Sequence, residues 1–126
     1  MCHTRRVLVV DDTPALKHLL QLALTNEGYT VAVADHGAHA LRLLETFAPC
    51  LILLDLRMPV MDGTAFARAY RARERADAHI VVMTAEVQPG DLGAIAPVHV
   101  VRKPFDLDAL LPIVEHWVHQ HTPTPP

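Results

Sequence analysis

Two short apolar runs of this 126-residue chain end in aspartate. Leu51–Leu54 are followed at once by Asp55, and Val7–Val10 are followed by Asp11 and Asp12. A carboxylate at the end of a buried strand is costly unless it is paired, hydrated or bound to a metal ion. The positions of these aspartates therefore predict a functional site, and Asp55 in particular is hard to explain otherwise.

Two further polar residues follow apolar segments later in the chain. Thr84 comes directly after Ile80–Met83, and Lys103 comes two residues after the segment Val98–Val101. In open parallel sheets, ligands bind outside the carboxyl ends of the strands. We therefore expect the three aspartates, the threonine hydroxyl and the lysine ammonium group to meet at one edge of one sheet.

Such a set of side chains suits metal-assisted phosphoryl chemistry. Three crowded carboxylates repel one another, and a hard divalent cation with oxygen ligands, Mg²⁺ above all, removes that repulsion. Beside such a cation, a lysine and a threonine, Asp55 can act as a nucleophile toward phosphorus. The positive groups would neutralise the charge that builds on the transferring phosphoryl oxygens.

The elements that must hold these residues alternate along the chain. The apolar segments predict five strands, at Val7–Val10, Val31–Ala34, Leu51–Leu54, Ile80–Met83 and around Val98–Val101. Apolar residues at helical spacing predict helices between them, with Thr13 and Pro14 at the first start and Thr64 as a cap of the third. This alternation implies βαβ units, so the predicted fold class is α/β, a three-layer sandwich around a parallel sheet.

Length, composition and charge predict one soluble domain. Half of the residues are apolar and a fifth are charged, as in ordinary globular proteins. The net charge of -3 argues weakly against nucleic acid as a partner. Two cysteines are too few for a disulfide framework, and no apolar run is long enough for a signal peptide or a membrane span. We expect a cytoplasmic domain over residues 1–121, with 122–126 as a Pro-rich tail or the start of a linker.

Four ordered motifs carry a resemblance to a known family: "VLVVDDTP", "LILLDLRMPVMDG", "VVMTA" and "RKPF". Over roughly residues 5–120 the chain resembles the CheY-like receiver domain of bacterial two-component response regulators. The resemblance implies a doubly wound sandwich with strand order 2-1-3-4-5. It also implies a phosphorylation-controlled signalling switch, with a sensor histidine kinase or phosphotransfer protein as the phosphoryl donor.

The resemblance assigns the acidic residues. It implies that Asp55 is the phosphoacceptor, which later loses its phosphoryl group by hydrolysis. Asp12, assisted by Asp11, would bind Mg²⁺ together with Asp55. The main-chain carbonyl of Arg57 would be a further ligand.

The resemblance also assigns the residues that contact the phosphoryl group. Thr84 would be the switch hydroxyl, Ala85 would contact the phosphoryl oxygens, and Lys103 would pair with them. The Lys103–Pro104 bond would be cis, as X-Pro bonds can be at modest cost.

The entrance of the site would lie between Arg57 and Glu86. In the family that the chain resembles, residues at these two positions tune dephosphorylation. Here they carry opposite charges. An ion pair across the entrance is expected to shield the phosphoryl group from water, whereas two solvated side chains would not.

The chain departs from the family pattern on one side of the fold. The usual aromatic switch residue is replaced by Val100, next to His99. Proline and glycine leave only Asp91–Ala96 able to form a fourth helix, and Pro112 interrupts the last one. The phosphorylation chemistry therefore looks intact, while the usual output surface does not.

Several alternatives remain open. The runner-up function is a Mg²⁺-dependent phosphatase of the haloacid-dehalogenase type, and a third is a degenerate receiver that binds partners without phosphate. The C-terminal histidines are either metal ligands or, more simply, a solvated helix end: His116, His119 and His121. The arginine stripe of the third helix is either a docking face for an acidic partner or a solvated face: Arg68, Arg71 and Arg75.

The expected partners, besides the donor, are a downstream target or an output domain. No nucleic acid and no membrane are expected to bind this domain. It is expected to be a monomer or a weak homodimer and not an enzyme in the ordinary sense, because it would catalyse only its own phosphorylation and dephosphorylation.

Overall fold

The computed structural model describes residues 5–73, 76–85 and 91–120, except for the side chains of Asp91 and Ala94. Strands and helices alternate in this part of the chain. In order they are β1 (Arg6–Val10), α1 (Pro14–Asn26), β2 (Thr30–Ala34), α2 (Gly37–Leu43), β3 (Leu51–Asp55), α3 (Gly63–Arg71), β4 (His79–Thr84), α4 (Asp91–Ile95), β5 (His99–Arg102) and α5 (Leu107–Val118).

The strands form one parallel sheet in the order β2-β1-β3-β4-β5. Val10 lies beside Ala34 on one side and Leu54 on the other, and Asp55 lies beside Met83. Because all strands run the same way, their carboxyl ends share one edge, which is called the carboxyl edge below. The predicted α/β fold and strand order are confirmed.

Burial on both faces explains why the central strands are continuous apolar runs in the sequence. Every residue of Val7–Val10 and Leu51–Leu54 is fully buried. Alternate residues of each strand point to opposite faces, and each face is covered by helices. The first face packs against α2, α3 and α4, through residues that include Ala40, Phe66, Ala67 and Ile95. The second face packs against α1 and α5, through residues that include Leu20, Leu24, Leu110 and Val114.

The observed starts of the helices agree only in part with those predicted from the sequence. Helix α1 begins at Pro14 after Thr13, as predicted. Helix α3 begins at Gly63, and its cap is Asp62 rather than Thr64, because the Asp62 carboxylate accepts the Ala65 N–H at 2.9 Å. The prediction of Thr64 as cap is therefore wrong by two residues.

The last two helices differ in length. Helix α4 has only five residues, in agreement with the short fourth helix predicted from its glycine and proline content. Helix α5 has twelve residues and continues through Pro112. Within the described segments, no helix is both long enough and apolar enough to cross a bilayer.

Candidate functional site

The acidic residues meet at the carboxyl edge. Asp11 follows β1 directly, and Asp55 is the last residue of the neighbouring β3. One carboxylate oxygen from each of Asp11, Asp12 and Asp55 lies within 4.8 Å of the other two. Asp11 and Asp55 are buried and Asp12 is exposed, so the cluster opens to solvent on the Asp12 side.

Lys103 bridges the two buried carboxylates. Its Nζ lies 2.6 Å from Asp11 Oδ2 and 3.5 Å from Asp55 Oδ2. Asp11 also accepts the Thr13 N–H at 2.8 Å. A buried carboxylate needs such partners to offset its lost hydration. The lysine therefore compensates part of the negative charge and fixes the two carboxylates relative to each other.

The environment of Asp55 disfavours its charged form. Burial raises the pKa of the Asp55 carboxyl, and the negative charges of Asp11 and Asp12 raise it further. The Lys103 ammonium and the Arg57 N–H, which donates to Asp55 Oδ1 at 3.3 Å, act in the opposite direction on this pKa. Burial and carboxylate repulsion prevail, so the cluster would be stabilised by additional positive charge.

The donor set fits a hard divalent cation. Its side-chain atoms are carboxylate oxygens, the ligands that Mg²⁺ prefers, and one of them is open to water. Mg²⁺ usually keeps several waters and uses only a few protein carboxylates. Burial raises the pKa of Asp55 and the charges of Asp11 and Asp12 raise it further, and such an ion would neutralise those neighbouring charges.

The end of β4 brings Thr84 to the same edge. Thr84 is fully buried and lies beside Arg102 of β5. Its carbonyl accepts the Lys103 N–H at 2.8 Å, which carries the hydrogen-bonding pattern of the two strands one residue further. The Lys103–Pro104 peptide bond is cis. Ala85, next to Thr84, is exposed, and Glu86 lies outside the described residues, so the structure does not bear on the Arg57–Glu86 pair.

A tight loop borders the site after Asp55. Met61 donates its N–H to the Pro59 carbonyl at 2.7 Å, and Val60 between them has φ +68°. This left-handed conformation is strained for a β-branched residue, and such strain concentrates at functional sites. Val60 is 82% exposed. A cleft of about 400 Å³ lies beside the loop and is lined by Asp12, Leu56, Arg57, Met58, Pro59 and Asp62.

Gly63 closes this loop against the backbone of Asp55. Its N–H donates to the Leu56 carbonyl at 3.1 Å. A Cβ at position 63 would lie 2.4 Å from the Asp55 carbonyl oxygen and 2.8 Å from Leu56 Cα, and neither backbone atom can yield easily. The sequence indicated turn chemistry at "MDG". The structure adds a requirement for glycine, because the start of α3 packs directly on the end of β3.

A different arrangement holds the α4 side of the fold. Ile95 is fully buried and is followed by Ala96 at φ +49°. The Arg71 guanidinium of α3 donates to the carbonyls of both residues, at 3.3 Å each. Arg71 is exposed, and its hydrogen bonds to the end of α4 are a role that neither alternative for the arginine stripe includes. It caps the end of α4 instead.

The other positions named above for this side of the fold are Val100, His99, Arg68 and Arg75. Val100 is half-buried and lies beside Val82, while His99 is exposed. Arg68 is exposed on α3, and Arg75 lies outside the described residues.

The C-terminal histidines make separate contacts. His119 Nε2 lies 3.2 Å from Arg5 Nη1, and the His116 ring packs edge-on against Trp117. His121 lies outside the described residues. In the described part of the chain, the three clustered aspartates are the only His, Cys, Asp or Glu group close enough to hold a metal ion.

The chain belongs to the response regulator receiver domain family, which it matches over residues 7–115. Members of this family are signalling switches rather than ordinary enzymes, and they interact with histidine kinases and output domains. Neither this match nor the similar structures favour a phosphatase of the haloacid-dehalogenase type.

Individual relatives agree with this assignment. The transcriptional regulatory protein GlrR of Escherichia coli K12 is 36% identical over 121 residues, which cover 93% of this chain but only 27% of GlrR. The receiver domain of a sensor histidine kinase from Pseudomonas aeruginosa PAO1, with a magnesium ion coordinated in its active-site cleft, is 29% identical. It has a TM-score of 0.82 and covers 93% of this chain and 99% of its own.

A third relative has been solved with a bound ligand. The response regulator TrrA of Thermotoga maritima, in complex with Mg²⁺ and BeF, is 32% identical, with a TM-score of 0.78 and coverage of 90% of this chain and 99% of its own. This chain spans about a quarter of the length of GlrR, so it corresponds to one part of that longer regulator.

Proposed function

We propose that this domain is a phosphorylation-controlled switch whose phosphoacceptor is Asp55. The observation that carries the proposal is the bridge from Lys103 to both Asp11 and Asp55 beside the exposed carboxylate of Asp12. It unites a nucleophile, a fixed positive charge and a candidate cation site at one edge. Asp11 shares the lysine and the acidic cluster, but both of its carboxylate oxygens are held by short hydrogen bonds, at 2.6 Å to Lys103 Nζ and 2.8 Å to the Thr13 N–H.

The proposed reaction transfers a phosphoryl group from a phosphohistidine of a kinase or phosphotransfer protein. An Asp55 oxygen attacks phosphorus, the phosphorus–nitrogen bond breaks, and the imidazole leaves with its electron pair. In the reverse direction of the switch, water attacks the phosphorus of the aspartyl phosphate. The phosphorus–oxygen bond then breaks, which releases inorganic phosphate and restores the carboxylate.

The residues around Asp55 have separate roles. Asp11, Asp12, Asp55 and the main-chain carbonyl of Arg57 would hold Mg²⁺, which when bound supplies positive charge to the phosphoryl oxygens. Lys103 supplies a second positive charge from the protein itself.

The residues after β4 would respond to the new phosphoryl group. Thr84 would donate its hydroxyl to a phosphoryl oxygen, and the Ala85 N–H would do the same. An Arg57–Glu86 ion pair would cover the entrance and slow the attack of water. Such an exposed pair adds only about 0–1 kcal/mol to stability, so its effect would be on phosphoryl lifetime.

The proposal also covers the partners of the domain, its oligomeric state and its limits along the chain. A downstream target or an attached output domain would read the switch, with the domain itself a monomer or weak homodimer in the cytoplasm. The receiver domain would extend through residue 121, and 122–126 would form a Pro-rich tail or linker start.

The test is phosphorylation by a small donor. The full chain is incubated with Mg²⁺ and acetyl phosphate, and the mass and position of any acid-labile adduct are determined. We expect one adduct, at Asp55, and none in Asp55→Asn. Asp62→Asn is the matched control, because it changes a carboxylate in the adjacent cleft to an amide that still caps α3. An adduct of full yield in Asp55→Asn would refute the assignment.

A further inference from the structure

Two histidine rings hold the turn between β2 and α2. His36 is the N-cap of α2, and its Nδ1 accepts the His39 N–H at 3.1 Å. The His39 ring in turn accepts the Asp35 N–H at 3.2 Å, again through Nδ1. N-caps are normally Ser, Thr, Asp or Asn, whose oxygens stay acceptors near neutral pH. A capping histidine is different.

An imidazole nitrogen accepts a hydrogen bond only while it carries no proton. When the ring is protonated, both nitrogens become donors. Histidine makes this change close to neutral pH, unlike any other ordinary capping group. Both backbone N–H groups at this turn, those of Asp35 and His39, would then face a donor instead of an acceptor.

The charges around His39 decide which way its titration is biased. Burial lowers the pKa of the His39 ring, and the positive charges of Arg42 and Lys17, together with His36, lower it further. Asp35 Oδ2, 3.9 Å from His39 Nδ1, favours the protonated ring. However, Asp35 is already paired with Lys17 and its side chain is 63% exposed, so its attraction is weak.

The sign of the pH dependence follows from this lowered pKa. Folding favours the neutral His39 ring, so the unfolded chain binds more protons in the range below its ordinary value of about 6.5. The stabilisation from this residue is therefore complete above about pH 6.5 and is lost as the pH falls below it.

The turn is connected to the loop that borders the acidic cluster. The Gly37 N–H donates to the Met61 carbonyl at 3.0 Å. A Cβ at position 37 would lie 2.7 Å from Met61 Cγ, so the two segments are in close contact. Any movement of the first turn of α2 changes the packing of Met61.

We propose that His36 and His39 form a proton-sensitive clasp that holds the first turn of α2 and braces the Met61 loop. Protonation of the two rings opens the clasp. The first turn of α2 then loosens, and Met61 loses its support from Gly37. This property is separate from the phosphorylation of Asp55 and does not depend on it.

The test is amide hydrogen exchange of the full chain at about pH 7.5 and about pH 5, above the ordinary histidine pKa and well below it. After correction for intrinsic exchange, the protection of the His39 and Asp35 amides should fall by about threefold to thirtyfold at the lower pH, the range that loss of one N-cap implies. The Ala65 amide is the internal reference, because its cap is the Asp62 carboxylate.

Two variants isolate the clasp. In His36→Asn the new side chain caps without titrating, so the protection of the His39 amide should no longer change with pH. His99→Gln removes an exposed histidine of β5 and should keep the wild-type pH response. Equal protection of the wild-type His39 amide at both pH values would overturn the proposal, and so would an undiminished fall in His36→Asn.

A measurement on the wild type keeps the proposal testable even if a variant fails to fold. Nitrogen-15 shifts of the rings at about pH 7.5 report which nitrogen carries the proton. We expect unprotonated Nδ1 and protonated Nε2 in both His36 and His39. A proton on Nδ1 of His36 would contradict the clasp.

Discussion

The carboxyl edge of the sheet and the α4 segment are held in place by different means. At the carboxyl edge, Asp11, Asp55 and Lys103 are joined by short charged contacts, and Gly63 packs directly on the backbone of Asp55. The five-residue α4 has one fully buried residue in its described part, Ile95. The carboxyl edge is therefore held by several close contacts, while α4 is attached to the core mainly through one side chain.

This difference matters for how far a phosphorylation signal travels. Phosphorylation would add about -1.5 to -2 charges at Asp55. Shifting a two-state equilibrium from 1:99 to 99:1 needs about 5.5 kcal/mol of differential stabilisation. Because α4 is short and only Ile95 of its described side chains is fully buried, we expect less of that free energy to reach the α4 side.

The largest expected effect comes from the anchor of α4. Ile95→Ala removes a fully buried side chain from the core and should lower the free energy of unfolding by about 2–5 kcal/mol, as measured by urea denaturation. Leu92→Ala, in the same helix at a half-buried position, should cost less. Phosphorylation of the folded Ile95→Ala protein by acetyl phosphate should persist. If the folded Ile95→Ala protein were no longer phosphorylated, the carboxyl edge and α4 would not be independent of each other.

A pair of glycine substitutions compares the two regions directly. Gly63→Ala forces a Cβ into the backbone of Asp55 and Leu56 and should destabilise the protein by about 1–3 kcal/mol. At Gly93 in α4, a Cβ would meet no described atom within 4 Å, so Gly93→Ala should stabilise by about 0.4–1 kcal/mol. Thermal unfolding of both variants checks this. If the two substitutions changed the melting temperature in the same way, the carboxyl edge and α4 would not differ in packing.

A smaller effect is expected from the cap on α4. A single guanidinium nitrogen, Nη2, donates to both the Ile95 and Ala96 carbonyls. Arg71→Lys keeps the charge but places its ammonium group differently, so it should lose these hydrogen bonds and cost about 0.5–1.5 kcal/mol. Arg68→Lys, exposed on the same helix, is the control and should change stability by less than about 0.5 kcal/mol. Equal effects of the two lysine variants in urea denaturation would show that Arg71 does not cap α4.

The smallest expected effect concerns the charge of Asp55 without a bound ion. Because the pKa of Asp55 is raised, its negative charge destabilises the folded state above that pKa, and the penalty is relieved as the pH falls through it. Asp55→Asn should therefore raise the melting temperature modestly at pH near 7 in the presence of a chelator. The gain should shrink at acidic pH. A lower melting temperature for Asp55→Asn at pH near 7 would contradict this reading of the electrostatics.

Added Mg²⁺ offers a second comparison for the same pair. It should raise the melting temperature of the wild type more than that of Asp55→Asn, since a ligand that binds only the folded state stabilises it.

The sequence predicts the fold well because the central strands are buried on both faces. Their apolar runs have no polar interruptions, and the residues that follow Val10 and Leu54 stand out as charged. The parallel sheet then brings Asp11 and Asp55 together without any further information. The short α4 also follows from local glycine and proline content.

Other contacts depend on how the elements pack. Arg71 meets the carbonyl of Ile95 across 24 positions of sequence, a relation that no local pattern contains. The need for glycine at position 63 arises from the approach of α3 to β3, not from the turn itself. The capping role of His36 is hidden because histidine is an uncommon N-cap. Asp62, a favoured capping residue two positions before Thr64, is a signal that was present in the sequence.

The most direct test of the account is the response of the two regions to a phosphate mimic. Amide chemical shifts of the ¹⁵N-labelled chain are recorded with Mg²⁺ before and after addition of beryllofluoride, with Asp55→Asn as the control. We predict large shifts at Asp12, Asp55 and Ala85, none of them in the control, and only small shifts over Leu92–Ile95, with no change in oligomeric state. A large rearrangement of α4 accompanied by dimerisation through it would contradict the account.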